Sequence, residues 1–174
     1  MSRFMRHFYA SSAIALCATT AAAELTADDV WNDWETYTQG FGYDVDGTQT
    51  RDGDALTITG VTMRSNEGAG AGGIILTIDR IVLTRQSDGT VTVEFPTIIP
   101  IEATTPNETG GVTRVSLDYR QSGMSVVASG TADAIDYEYS ADTVTLDNTG
   151  CEVNGQAKPA GTNDVEITSS DIAG

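Results

Sequence analysis

Histidine is nearly absent from this chain. The 174 residues contain one, His7, and a single lysine, Lys158. Cysteine occurs twice, as Cys17 and Cys151. Positive charge is scarce: Lys and Arg total 9 against 25 acids, a formal net charge of -16. So acidic a chain lacks the basic footprint that phosphate neutralisation requires, which argues against a nucleic-acid partner. It is equally unsuited to electrostatic docking on anionic lipid surfaces. Long hydrophobic runs are missing as well. No stretch approaches the roughly 20 apolar residues that span a bilayer. Yet hydrophobic residues make up 40% of the chain, enough for a core.

The N-terminus carries an address. Arg3 and Arg6 precede a mostly apolar, uncharged run from Phe8 to Ala18. Ala21-Ala22-Ala23 then offers a small-residue cleavage site before Glu24. In that order these features predict a secretory signal peptide over residues 1–23. Cys17 after Ile14-Ala15-Leu16 loosely imitates a lipoprotein box, but Leu16 is too bulky for the position before a modified Cys. Removal of residues 1–23 takes away two arginines and no acid, so the charge moves from -16 to -18. The mature chain, residues 24–174, then has no histidine and one cysteine. It cannot form a His-dependent nucleophilic site, a His-containing zinc site or an internal disulfide. Cys151 lies beside Gly150 with Asp147 and Glu152 near it, and acidic neighbours disfavour a thiolate. It is expected near a turn, either as a small buried hydrophobe or paired with another chain.

Carboxylates are what remains for chemistry. Asp44, Asp46, Asp52 and Asp54 cluster within eleven residues. Such acids can ligate calcium or serve a glycosidase. They also occur in turns for reasons of turn chemistry alone, and no EF-hand spacing is present. The Gly-rich segment Asn66 to Gly73 has no lysine and precedes a strand, so it reads as a mobile loop and not a phosphate cradle. No cofactor and no metal is expected.

One segment reads as helix. Thr26 is a good N-cap with Asp29 three residues on, and Asp28 and Asp29 suit the positive end of a helix dipole. Ala27, Val30, Trp31, Trp34 and Tyr37 recur at helical spacing, and Gly40 is a stop. The spacing predicts a helix over 27–39, with its Trp-bearing stripe packed on a sheet. Trp31 and Trp34 are the candidate binding residues if that stripe serves as an aromatic anchor.

After Gly42 the chain reads as strands. Leu56/Ile58, Val91/Val93/Phe95, Val115/Leu117/Tyr119 and Ile135/Tyr137/Tyr139 alternate with polar residues at a period of two. Asp52-Gly53, Asp88-Gly89, Gly110-Gly111 and Ser122-Gly123 read as turns between them. The apolar phase slips at Gly60 and at Asp79-Arg80, which predicts β-bulges or bends. Pro96 and Pro100 mark an edge or a strand interruption. The expected fold class is mainly β: an antiparallel, bent or curled meander with one N-terminal amphipathic helix packed on it. Residues 24–174 form one domain on this reading, and the apolar close at Ile172-Ala173-Gly174 fits the N-terminal part of a longer protein with further strands. An open sheet edge would also invite self-association.

Two stretches carry a resemblance. They are Leu25-Thr26-Ala27-Asp28-Asp29-Val30-Trp31-Asn32-Asp33-Trp34, and Asp118-Tyr119-Arg120-Gln121-Ser122-Gly123-Met124 followed by Ser129-Gly130 and Tyr137-Glu138-Tyr139-Ser140-Ala141-Asp142. In this order they resemble the N-terminal portion of the exported domain-of-unknown-function 2125 family, over most of residues 25–150. The resemblance implies export and a β-rich body, and brings no catalytic residues with it.

Three functions compete at this stage. The first is a non-enzymatic exported protein, periplasmic or secreted, that binds or scaffolds in the envelope and handles a lipid or an envelope protein. The second is an acidic module adapted to salt or calcium. The third, most remote, is a carboxylate-based hydrolase.

Overall fold

A computed structural model describes residues 24–65, 72–158 and 167–174, with side chains omitted for 167–173. The expected signal peptide and most of the Gly-rich loop lie outside the described residues. One helix, α1 (Ala27–Gly40), precedes ten strands: β1 (Tyr43–Asp52), β2 (Ala55–Ser65), β3 (Gly73–Arg85), β4 (Val91–Glu94), β5 (Ile98–Pro106), β6 (Val112–Ser122), β7 (Ser125–Thr131), β8 (Ala134–Val153), β9 (Gln156–Ala157) and β10 (Ile167–Ala173). The chain is mainly β, with antiparallel pairing throughout.

The strand order simplifies once the interruptions are recognised. β4 and β5 both pair with β3, placing Val93 opposite Leu83 and Ile101 opposite Leu76. They are two halves of one course, broken at Pro96, which has no N–H for the ladder. β6 and β7 likewise both pair with β8, Ser122 opposite Thr143 and Ser125 opposite Ser140. Ser122-Gly123 is therefore a break within one course and not the turn expected from sequence. The reversal falls at Ala132-Asp133, between paired Thr131 and Ala134. The result is a meander in which each course pairs with its predecessor, running β1, β2, β3, β4/β5, β6/β7, β8, β10, with β9 folding back on β8. Cys151 is half-buried within β8 opposite Val115, close to the Asn154-Gly155 turn into β9, near a turn as expected.

The phase slip at Gly60 has a visible cause. Asp46 faces Thr62 but Thr48 faces Thr59, so β2 carries one more residue than β1. Gly60 absorbs it at a φ of 61°, open to glycine. β3 slips at the matching level, keeping Ile58 opposite Ile81 and Val61 opposite Ile78. Both strands thus keep their apolar side chains on one face through the bend.

That face meets α1. Thr26 Oγ1 accepts from Asp29 N at 3.2 Å, and Asp29 Oδ2 accepts from Thr26 N at 2.9 Å, so the expected capping box starts the helix. Leu25, Ala27, Val30 and Trp31 are buried against Leu56, Ile58, Ile81, Leu83, Val91, Val93 and Ala128. Three contacts tie this segment to the sheet: Arg51 with Asp28, Arg85 with Glu24, and Tyr137 with Asp33. No helix among the described residues is long and apolar enough to cross a membrane.

Candidate functional site

The helix covers only part of the apolar face. Its first half is sealed, but its second half stands off the sheet and leaves a cleft of about 230 Å³. Trp31, Trp34 and Glu35 form the helix side of the cleft. Val45, Val61, Met63 and Ile78, from β1, β2 and β3, form its floor. Phe95, at the Pro96 break, closes one side. A second hollow of about 280 Å³ adjoins it and shares Tyr37, Thr38 and Met63.

Both tryptophans expected from the sequence lie here, with different environments. Trp31 is only 3% exposed, and its indole N–H finds no acceptor among the described residues. An unpaired buried N–H costs roughly 1–3 kcal/mol. Trp34 is half-buried and stacks on Phe95 at 5.6 Å and on Tyr137 at 6.1 Å between ring centroids. Tyr37 departs from its expected place on the packed stripe. It is 66% exposed and lies 4.8 Å from the equally exposed Phe41. Its ring borders both hollows instead of packing on the sheet face.

The cleft opens onto a track across the sheet. Register places Val45, Met63, Leu76, Ile101 and Leu117 side by side on five adjacent courses. Each is half-buried and none carries charge. Four interstrand spacings make the row about 19 Å long. Beside it Ile74 is 41% exposed. The opposite face, by contrast, carries ion pairs such as Arg120 with Asp118 and Asp147, at 2.8 and 2.9 Å. Sequence reading missed this row, because membership depends on register between strands and not on periodicity within one.

Tyr137 is the titratable group most affected by the site. Burial holds its phenol well above the ordinary value of 10.0. The hydrogen bond to Asp33, 2.7 Å long, and that carboxylate's charge push the same way, while Trp34 opposes them weakly. An unfolded tyrosine loses its proton first as pH rises, so this group's contribution to stability is full below about pH 10 and is lost progressively as pH climbs from there through its raised folded value. Tyr137→Phe is expected to flatten the alkaline limb of a stability profile measured by urea unfolding. The limb should not vanish, since burial also raises Tyr119.

The acidic cluster does not assemble. Asp44 and Asp46 lie near the start of β1, whereas Asp52 and Asp54 flank the β1–β2 turn at its other end. Six residue steps of strand separate Asp46 from Asp52, about 20 Å. Among the described residues no group of three His, Cys, Asp or Glu side chains could hold a metal ion. No family model, curated protein or solved structure matches the chain.

Proposed function

We propose that this is an exported, non-catalytic binding protein of the cell envelope that holds an apolar chain, such as the alkyl tail of a lipid, in the cleft beneath α1. The observation that carries this reading is the continuity of the cleft with the uncharged row Val45–Met63–Leu76–Ile101–Leu117. A chain of net charge -16 can place charge almost anywhere on its surface, yet leaves this row bare. A ligand site is typically a concave, mostly apolar surface with a few polar groups, which describes this cleft. The row offers a slender molecule a path longer than the cleft alone. A second copy suits it less well. Five courses by three residues span only about 240 Å², less than a third of the ~800 Å² per partner typical of stable interfaces. The N-terminal address and the resemblance to an exported family support the location.

The two tryptophans make the protein its own sensor, since the chain contains no others. Titration with a nonionic dodecyl glycoside, its chain brominated and kept below the micellar concentration, should quench their emission saturably at one molecule per chain. Met63→Glu places a charge between the cleft and Leu76, and should weaken that binding by about tenfold or more while strand content persists by circular dichroism. Linear, unsaturable quenching, or a Met63→Glu protein that binds as the parent does, would remove the reading.

A further inference from the structure

The acids of α1 are not equivalent. The helix carries Asp28, Asp29, Asp33 and Glu35 and no basic residue. Asp29 is engaged in the capping box, Asp28 with Arg51, and Asp33 with Tyr137. Glu35 alone is left: it is half-buried, lines the cleft, and has no ion-pair partner among the described residues. Trp31, one turn before it and therefore its neighbour on the helix surface, holds the buried N–H that also lacks a partner. No lysine or arginine lines the cleft. Asp44 and Asp46 flank Val45 on β1, but by strand alternation they project from the opposite face of the sheet. The nearest base there, Arg64, is opposite Asp44 and reaches Asp46 at only 3.8 Å. Arg64 thus lies on that far face with them, and among the described residues Glu35 is the one charged group lining the cleft.

Resting on the binding role proposed above, we infer that the occupant is a cationic amphiphile: an alkyl tail on the apolar row and an amine or quaternary ammonium head against Glu35. An anionic head would sit beside an unneutralised carboxylate. A cationic head pairs with it, and the exposed ring of Tyr37 offers a face that attracts cations. The carboxylate is partly open to water, so its contribution is that of a partly screened pair.

The test compares three probes of equal tail length: dodecyltrimethylammonium, dodecyl maltoside and dodecanoate. Each is titrated against the full chain by tryptophan emission at about 0.15 M salt, where the Debye length is short. The ammonium should bind about fivefold tighter than the maltoside, and dodecanoate weaker by a similar factor. Glu35→Gln should erase that ranking and Glu35→Asp should retain part of it. Glu108→Gln, in the exposed β5–β6 turn, should leave it intact, which separates the site from the field of the whole acidic protein. Equal affinities for the three probes, or equal effects of Glu35→Gln and Glu108→Gln, would overturn the inference while the apolar site stands. Failure of the maltoside to bind would instead remove the binding role itself.

Discussion

Trp31→Ala is expected to lower the unfolding free energy by about 3–5 kcal/mol, the range for truncating a buried aromatic. Trp31 is 3% exposed and belongs to the cluster formed by α1 and the sheet face. Its removal strips contacts from both sides of the layer. One offset exists: the orphaned indole N–H leaves with the side chain, returning part of its desolvation cost and placing the loss near the lower end. Trp31→Phe separates the two effects, because it keeps a ring and discards the N–H. It should cost less than half as much as Trp31→Ala. Urea unfolding followed by far-ultraviolet circular dichroism measures both, with an unchanged m-value showing that the cooperative unit is intact. A loss below about 1 kcal/mol for Trp31→Ala would mean that α1 is not part of that unit.

Gly130→Val should be comparably severe, by a different mechanism. Gly130 has a φ of 101°, and a Cβ there would lie 2.3 Å from the Ala134 carbonyl oxygen. The obstacle is backbone across the tight β7–β8 hairpin, so no rotamer relieves it. Backbone strain of 1–3 kcal/mol adds to the clash, giving about 3 kcal/mol or more. Gly89 provides the contrast. Its φ is 87°, but nothing lies within 4 Å of its Cβ position, so Gly89→Val should show the strain alone. If the two variants melt together, the close approach at Gly130 carries no weight.

Much of the architecture was legible because its determinants are local. The capping box needs only Thr26 and Asp29, three residues apart. The slip in β2 shows as Ile58 giving way to Val61 across Gly60. Pro96 announces a break whatever it pairs with. Local signals failed where pairing partners decide the outcome. Ser122-Gly123 and Asp88-Gly89 look alike as dipeptides, yet one bends a course and the other reverses it. The difference lies in β8, whose single long course receives both β6 and β7. Trp31 and Trp34 were identifiable as a stripe, but the remainder of the cleft was not. Val45, Met63 and Phe95 come from three separate stretches, and only helix docking and strand register bring them to one hollow. Glu35 is unremarkable in sequence. It stands out only because its neighbouring acids find partners among the described residues and it does not.

The meander also orders events in time. Courses that pair with their predecessors close short loops, two residues at Gly53-Asp54 and two at Ala132-Asp133. Short closures carry little entropic cost, so each of these hairpins can start from its turn. The sheet can therefore grow by successive hairpins from β1 onward. α1 is the exception. Its tie to β8, Tyr137 to Asp33, spans 104 residues and must wait until that strand is in place. Mutations in α1 should then mainly accelerate unfolding and scarcely slow folding. The helix that comes first among the described elements thus completes its contacts last, because Asp33 has no Tyr137 to meet until β8 is laid down.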